Sequence, residues 1–491
     1  MNIVSVTSEL YPYSGTGGLS DMVAGLGKTL AKKGHKIRYI TPLYQAVKDL
    51  QLPLHLHSTL GPIYMGSYPE SVTVYTLAQP NDSIVYFISH PVFDRPGLYQ
   101  WQGVDYSDNA YRFLLFSKAA LELCNAWGPN LDVIHLHDWH TAMIALLLQH
   151  QSNHNPTHTY KPITCFTIHN AEYQGVFDVA VYQFTNLPWD YFTMEGVEFY
   201  GKVNFLKAGI GFADAITTVS PRYAREILTP EFGAGLEGYL QAHASKLAGI
   251  LNGIDIEEWD PETDPWIRHH YNAHNLAPKL ACKQDLQMEV GFPIQPDTPL
   301  FASIMRLTEQ KGISILLPAI ETVLSHHNIQ FILVGNGNPH VEAAFKNLAQ
   351  RFPQKFHMHS GFNRALSHRV EAGADFFVLP SRYEPCGLNQ MYSQRYGTLP
   401  IVRRVGGLDD TVIDIADDPA RGTGIKFTDY SPKALIEAIE RAISLFNNKQ
   451  AMEYYRRNAM HQDFSWDRSA SAYEALYART IRRLKQPALK I

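Results

Sequence analysis

Short apolar runs alternate with longer stretches of helical periodicity along the chain. The apolar run at residues 2–7 is followed by apolar positions at three- to four-residue spacing, namely Leu19, Met22, Val23, Leu26 and Leu30. The run predicts a buried strand, and the spacing predicts an amphipathic helix. Further strands are predicted at residues 36–41, 83–88, 132–136, 162–168 and 215–219. Strands separated by helices predict βαβ units and a parallel sheet.

The same alternation resumes in the second half of the chain, with strands predicted at residues 299–304, 330–334 and 376–379. Helices are predicted from Ser431, from Asn447 and over residues 466–483. A chain of 491 residues is longer than one hydrophobic core usually supports. We therefore predict an α/β protein with two Rossmann-like domains, at residues 1–243 and 244–463.

Composition excludes several classes of protein. A formal net charge of -5 argues against a nucleic-acid partner, which requires a basic surface. The four cysteines form no CxxC pair, which disfavours a disulfide framework and fits a reducing compartment. The N-terminus lacks the basic and apolar regions of a signal peptide, and no apolar run is long enough for a membrane span. We expect a cytoplasmic protein without a membrane partner.

The central stretch of the chain, residues 375–408, combines a strand, a polar loop and a helix. The loop Ser381–Gly387 leaves the carboxyl end of the predicted strand, where ligands bind in open α/β sheets and helix amides suit phosphate. A carboxylate beside phosphate is repulsive unless it faces a neutral, hydroxyl-rich part of the same ligand. Glu384 therefore indicates a nucleotide sugar, or alternatively it caps the following helix.

Other strand ends carry candidate ligand groups. Arg306 and Lys311 follow the strand at 299–304, where two cations suit a diphosphate, although exposed cations are often only solvated. Gly17 and Gly18 lie between the first strand and helix, where backbone N–H groups can approach an anion. Taken alone, this glycine signal is weak because many such turns bind no ligand.

Histidines cluster after two strands of the first half. The stretch His135–His140, HLHDWH, is similar to a metal-ligand motif of histidines and aspartate. Trp139, however, stands where that motif requires aspartate. We therefore predict no metal site. His169 ends another strand, where neutral imidazole can exchange hydrogen bonds with a sugar hydroxyl, or serve a purely structural role.

Several of these stretches resemble motifs of bacterial glycogen synthases and plant starch synthases. Residues 384–412, EPCGLNQMYSQRYGTLPIVRRVGGLDDTV, resemble the family's donor-site signature. The stretches HLHDWHT, TIHNAEYQG and RLTEQKG are similar to other family motifs, in family order along essentially the whole chain. TGGLSD resembles the family's KTGGLxD, with Gly15 in place of the lysine.

The resemblance implies a GT-B type glycosyltransferase whose two Rossmann-like domains face each other across a cleft. The first domain would be the acceptor side and the second the donor side, with a C-terminal helix at about 464–485 packing back on the first. The implied activity is transfer of glucose from ADP-glucose, or UDP-glucose, to the non-reducing end of an α-1,4-glucan such as a glycogen primer. Transfer would retain anomeric configuration, serve glycogen biosynthesis and require no cofactor.

The resemblance also implies roles for individual residues. The implied catalytic residues are Glu384, Arg306, Lys311 and His169. The implied donor-binding residues are Gly15, Gly17, Gly18, Tyr99, Asn252, Cys386, Gly387 and Leu388. The implied acceptor or cleft residues are Glu9, Asp21, Asp138, Trp139, His140 and Asn170. Glu384 would hold glucose hydroxyls, and the alternative of a covalent nucleophile stays open.

The sequence leaves two alternative functions open. A glucan phosphorylase shares the two-domain architecture but needs a lysine for pyridoxal phosphate, which we do not locate. A glucan-binding protein that lost catalysis with the change at Gly15 is the non-enzymatic alternative.

Overall fold

The computed structural model describes residues 1–154 and 161–485, and its chain forms two compact units. The first unit combines the described residues up to 219 with residues 224–253 and the segment from Trp466 onward. The second unit comprises residues 220–223 and 254–465.

The described strands of the first part of the chain are β1 (Asn2–Val6), β2 (Lys36–Pro42), β3 (His55–Met65), β4 (Tyr68–Ala78), β5 (Ile84–Ser89), β6 (Gln100–Trp101), β7 (Val104–Asp105), β8 (Val133–His137), β9 (Ile163–Ile168), β10 (Val176–Phe177), β11 (Glu198–Phe199), β12 (Lys202–Asn204), β13 (Ala215–Thr218) and β14 (Leu247–Gly249). The helices of this part are α1 (Gly18–Lys32), α2 (Gln45–Lys48), α3 (Asn109–Trp127), α4 (Trp139–His154), α5 (Phe205–Phe212), α6 (Pro221–Glu226) and α7 (Glu237–Ala242).

The strands of the later part are β15 (Leu300–Ile304), β16 (Gln330–Gly335), β17 (Phe356–Ser360), β18 (Phe376–Leu379), β19 (Leu399–Arg403) and β20 (Ile425–Phe427). Its helices are α8 (Pro278–Glu289), α9 (Ile313–His326), α10 (Pro339–Arg351), α11 (Arg364–Gly373), α12 (Asn389–Arg395), α13 (Gly406–Thr411), α14 (Pro432–Asn447), α15 (Lys449–Met460) and α16 (Trp466–Lys485).

The first unit is built on a nine-stranded sheet in the order β14-β13-β9-β8-β1-β2-β5-β4-β3. The strands from β14 to β5 pair in parallel, as the alternating pattern predicted, and β3 and β4 add an antiparallel edge. The sequence did not predict β3 and β4. Most side chains of β3 are exposed, so its sequence lacks the apolar run that marks a buried strand.

The first unit extends further along the chain than the sequence indicated. The second domain was predicted to start at residue 244, but Leu247–Gly249 pairs in parallel with β13 at the edge of the first sheet. The second unit accordingly starts at Ile254, ten residues after the predicted start at 244. A three-residue strand carries no periodicity, so only its pairing shows which sheet it joins.

The second unit contains a parallel sheet in the order β17-β16-β15-β18-β19-β20. Apolar side chains of α9, α10 and α14 pack with those of the strands in one hydrophobic core. Because β15 and β18 are neighbours, the loops that leave their carboxyl ends lie side by side. This places two of the predicted motifs at one edge of the sheet.

The terminal helix α16 packs on the first unit. Trp466 packs so closely on α1 that a Cβ atom at Gly25 would overlap its indole ring. Further along the helix, the hydroxyl of Tyr477 lies 2.9 Å from Nδ1 of His135. Across the ranges described, 1–154 and 161–485, we find no helix with the length and apolarity to span a membrane.

Candidate active site

In the second unit, an ion pair joins two of the predicted loops. Nζ of Lys311, which ends a turn of 3₁₀ helix after β15, donates to Oε2 of Glu384 at 2.6 Å. The hydroxyl of Ser381 donates to the same oxygen at 3.0 Å. Glu384 is only 5% exposed, so this contact lies out of bulk solvent. The structure therefore brings Glu384 and Lys311 together, which sequence position alone did not show.

The alternative that Glu384 caps the following helix is wrong. Helix α12 begins at Asn389, and its N-cap residue, Leu388, makes no side-chain capping bond. Instead, the side chain of Asn389 donates to the carbonyl of Ile304 at 2.6 Å, which ties the start of α12 to β15. The carboxylate of Glu384 thus has no role in helix capping among these contacts.

The loop that carries Glu384 is fixed by close backbone packing. Gly312 and Gly406 both have positive φ, at +80° and +43°. A Cβ atom at Gly312 would overlap the carbonyl oxygen of Pro380, and one at Gly406 would overlap that of Glu384. Because only glycine fits both positions, the loop cannot shift without moving its neighbours. Such rigidity suits a group that must hold a ligand in one orientation.

Three other predicted residues of the second unit lie within five residues of this pair in the chain. Arg306 is exposed at the carboxyl end of β15. Cys386 is buried, and Gly387 adopts a positive φ of +71° just before α12. Arg306 is therefore an exposed cation five residues before the lysine that pairs with Glu384.

One residue that the sequence did not single out also lies at this edge. Phe362 follows β17 and is 76% exposed, directly after Gly361 with its positive φ of +97°. A large exposed aromatic ring at the ligand edge of a parallel sheet is a candidate for stacking on a nucleotide base. The adjacent glycine and aromatic residue were the available signal, but no strand was predicted before them.

In the first unit, Glu9 clamps the glycine-rich loop. Its carboxylate accepts from the backbone N–H of Thr16 at 2.7 Å and from the hydroxyl of Thr16 at 2.7 Å. The hydroxyl of Tyr99 also donates to it at 2.7 Å and lies 2.8 Å from Oγ of Ser8. Glu9 and Tyr99, predicted as acceptor and donor residues, therefore meet beneath the loop.

The loop itself presents exposed glycines. Gly17 is the extended N-cap of α1, and the position of a Cβ atom there has open space around it. Asp21 is exposed in the first turn of α1. At Gly15 a Cβ atom would overlap Oγ of Ser20 and come within 2.9 Å of its Cβ. Ser20 thus occupies the space that a side chain at position 15 would need.

Histidines at the ends of β8 and β9 form a chain in which His137 is buried and His169 is half-buried. Nδ1 of His137 lies 3.1 Å from Nε2 of His169, and Nε2 of His137 lies 2.9 Å from Oγ of Ser5. Burial lowers the pKa of His169 to about 3, so its ring is neutral at physiological pH. Its backbone N–H donates to Oδ1 of Asp138 at 2.7 Å. Burial, with a smaller contribution from Glu9, raises the pKa of Asp138 to about 8.

His135 has structural partners on both ring nitrogens. Nε2 lies 2.6 Å from Oγ1 of Thr167, and Nδ1 faces the hydroxyl of Tyr477. Within residues 1–154 and 161–485, no three His, Cys, Asp or Glu side chains are grouped so that they could hold a metal ion.

Trp139 and His140 lie in the packing of the first unit. The His140 ring stacks between Trp139, at 4.0 Å between centroids, and Tyr99, at 4.6 Å. Trp139 is buried, and a Cβ atom at Gly175 would overlap its ring from another side. Trp139 is only 8% exposed, and its implied contact with the acceptor glucan stays a prediction. Asn170 is half-buried at the end of β9, and Asn252 is buried near the end of the unit.

Comparison with known proteins agrees with this arrangement. Residues 2–242 match the family model described as "Starch synthase catalytic domain", and residues 288–459 match "Glycosyl transferases group 1". The glycogen synthase of an Anaeromyxobacter species is 46% identical over 97% of this chain and 99% of its own length. That of Opitutus terrae is 42% identical over 98% of this chain and 100% of its own.

Solved structures show the same relationship. The catalytic domain of starch synthase IV from Arabidopsis thaliana, bound to ADP and acarbose, superimposes with a TM-score of 0.90 at 35% identity, over 98% of this chain and 99% of its own. A sucrose-phosphate synthase from Thermosynechococcus elongatus, at 17% identity and a TM-score of 0.58 over 98% of this chain and 100% of its own, shares the fold. With these relatives and its two Rossmann-like units, the chain belongs to the family of bacterial glycogen synthases and plant starch synthases, glycosyltransferases of the GT-B fold.

Proposed function

We propose that this chain transfers glucose from ADP-glucose to the non-reducing end of an α-1,4-glucan, with retention of anomeric configuration, in glycogen biosynthesis. The observation that carries the proposal is the ion pair between Lys311 and Glu384 at the ligand edge of the second unit. The related starch synthase IV is bound to ADP and acarbose, which supports a nucleotide donor and a glucan-like acceptor here. UDP-glucose is the alternative donor.

Charge at this edge suits the diphosphate of the donor. An ammonium group has three N–H donors, so Lys311 can bind a phosphate oxygen while it still donates to Glu384. Arg306 supplies a second, exposed cation at the end of the same strand. As the bond to the sugar breaks, negative charge grows on the departing diphosphate, and these cations stabilise it.

Glu384 is proposed to bind the sugar. Both of its described side-chain bonds involve Oε2, so Oε1 is the oxygen we assign to accept from a glucose hydroxyl. His169, neutral because burial lowers its pKa to about 3, is assigned to another hydroxyl. Phe362 is assigned to stack on the adenine base.

The chemistry we propose is transfer on one face of the sugar. The bond from the anomeric carbon to the diphosphate oxygen breaks, and a bond to the acceptor hydroxyl oxygen forms on the same face. The proton of that hydroxyl passes to the departing phosphate. Lys311 and Ser381 both bond to Oε2 of Glu384, and such a fixed, hydrogen-bonded carboxylate suits sugar binding better than covalent attack. The reaction so balanced needs no cofactor.

The first test compares Glu384→Ala, Lys311→Ala and the double variant by nucleotide release from ADP-glucose and UDP-glucose with glycogen. Each single variant should lower kcat by roughly 100- to 1,000-fold, because fixed charges around the donor supply much of the rate enhancement. Lys311→Ala also leaves the buried carboxylate of Glu384 without its ion-pair partner, at a cost of about 1 to 3 kcal/mol of stability, whereas Glu384→Ala leaves only the half-buried Lys311 unpaired and should cost less. The double variant should recover stability but not activity.

The control is Lys433→Ala, which breaks the exposed pair with Glu437 and should change neither property. Activity that returns together with stability in the double variant would show the pair to be structural. A wild-type chain that releases no nucleotide from either donor contradicts the proposed activity. Phosphate-dependent release of glucose 1-phosphate would instead indicate a phosphorylase.

A further inference from the structure

A small hairpin in the first unit exposes an apolar face. Strands β6 and β7 are joined by Gln102 and Gly103, whose φ values of 51° and 82° give the tight turn typical of two-residue hairpins. Trp101 and Val104 are directly paired and so lie on one face. They are 53% and 71% exposed.

The base of this hairpin is held firmly. The backbone N–H of Tyr106 and the side chain of Asn109 both donate to the carbonyl of Tyr99, at 3.0 and 2.9 Å. The backbone also packs tightly before the hairpin, because a Cβ atom at Gly97 would overlap the carbonyl oxygen of Gln100. The exposed tryptophan therefore sits on a support whose conformation is already fixed, which lowers the entropy lost on binding.

The hairpin is continuous with the site in the first unit. Tyr99, which precedes it, bonds to Glu9 beneath the glycine-rich loop and stacks on His140. Trp101 follows Tyr99 by two residues, so the exposed face of the hairpin begins directly after the residue that bonds to Glu9. Neither the family motifs nor the proposed catalytic steps use Trp101.

We propose that the face formed by Trp101 and Val104 is an accessory binding subsite for the α-1,4-glucan acceptor, away from its reacting end. The inference rests on the proposed function. A pyranose ring has a face of C–H groups that packs on an indole ring, and the indole buries apolar area without needing a polar partner. Gln100, Gln102 and Asp105 beside it supply amide and carboxylate groups for sugar hydroxyls.

The size of the face favours a glucan over a second copy of the chain. Two side chains bury about 250 Å² at most, against about 800 Å² per partner in a stable protein interface. A linear glucan needs only one ring for each glucose that it stacks. A net charge of -5 also disfavours an anionic polymer as the occupant.

The experiment measures glucan binding and transfer in the full chain for Trp101→Ala. Retardation in native gels containing glycogen should weaken by about five- to tenfold, which is the effect expected from one lost stacked ring. The ratio of kcat/KM on a long glucan to that on maltotriose should fall by a similar factor. Trp101→Tyr should restore both, and Trp101→Leu should restore neither.

Trp266→Ala is the matched control, since Trp266 is 45% exposed but lies in the second unit. Equal retardation of wild type and Trp101→Ala in glycogen gels would overturn the proposal, as would an unchanged ratio of long to short acceptor. A concentration-dependent dimer that Trp101→Ala abolishes would assign the face to a second copy instead. Retardation by glycogen is measured without donor, so it reports glucan binding and does not depend on transfer. A failure of glucose transfer therefore overturns the proposed function separately from this subsite.

Discussion

Gly15 is the residue at which this chain departs from the lysine of the family motif, and the structure shows an adjustment next to it. Ser20 fills the space that a side chain at position 15 would occupy, and its hydroxyl donates to the carbonyl of Gly17 at 3.0 Å. A lysine cannot simply be reintroduced, because its Cβ would overlap the Ser20 hydroxyl. The two residues should therefore be considered together.

We predict that Gly15→Lys in a Ser20→Gly background, where neither Oγ nor Cβ of Ser20 remains to overlap the new side chain, raises kcat/KM for ADP-glucose by about tenfold, because one more cation near the diphosphate strengthens charge-assisted contacts. Gly15→Lys alone should gain less and lose thermal stability, since Ser20 must move. Steady-state kinetics with ADP-glucose and UDP-glucose measure the effect. Gly15→Gln with Ser20→Gly is the control for side-chain bulk, and an equal gain there would disprove the electrostatic explanation.

The sequence predicted candidate residues better than it predicted their contacts. The position of Glu384 after a strand indicated a ligand group, but its bond to Lys311 joins residues 73 apart in the chain. In the same way, nothing in the spacing indicated that Glu9 holds Thr16. A motif also does not show which side chains cover a ring, and the packing of Trp139 against His140 and Gly175 was not evident from the sequence.

At the scale of elements, the strands that the sequence predicted are mostly ones with buried side chains. Strands β1, β8, β9, β15 and β18 are apolar runs in the interior of a sheet, and the sequence predicted all of them. The antiparallel strands β3 and β4 and the edge strand β14 were not recognised, because many side chains of β3 and β4 are not buried and β14 has only three residues. Long-range pairing, not local pattern, decides these elements.

The segment that opens the second unit is held by a buried polar network. The carboxylate of Asp264 accepts from the hydroxyl of Tyr396 at 2.5 Å and pairs with Nδ1 of His368 at 2.8 Å. The Trp259 ring lies between His368, at 4.0 Å, and Tyr392, at 3.8 Å. This segment therefore depends on side chains of α11 and α12 more than on regular backbone pairing.

We predict that His368→Ala destabilises the second unit by about 3 kcal/mol, since it leaves the buried carboxylate of Asp264 without its imidazole partner. Urea denaturation followed by tryptophan fluorescence measures this change. His326→Ala, at an exposed position near the end of α9, is the control and should cost less than about 0.5 kcal/mol. If Asp264→Asn and His368→Ala prove additive, the two side chains are not coupled.

At the scale of the whole molecule, the two units differ in the histidines that they bury. In the first unit, burial lowers the pKa values of His135, His137, His140 and His169. In the second unit, burial alone would lower the pKa of His368, but its bonds to Asp264 and Glu258 raise it above the ordinary value. His368 therefore contributes stability that is complete below about pH 6.5 and is lost as pH rises through its folded pKa.

The last prediction is that acid unfolds the first unit before the second. Below about pH 6.5 the unfolded chain takes up protons on the four buried histidines of the first unit, while the folded chain does not. Asp138 acts in the opposite sense, because its pKa of about 8 means that the folded state holds one proton that the unfolded state lacks above about pH 4. The net difference is about three protons, so the free energy of unfolding of the first unit should fall by about 4 kcal/mol for each pH unit that the pH is lowered.

Hydrogen exchange between pH 7.5 and 5 should show β8 and β9 losing protection before β15 and β18. His137→Gln, which can keep bonds to Ser5 and His169, should reduce the slope by about 1.4 kcal/mol per pH unit. Equal loss of protection in both units would mean that these histidines do not control acid stability.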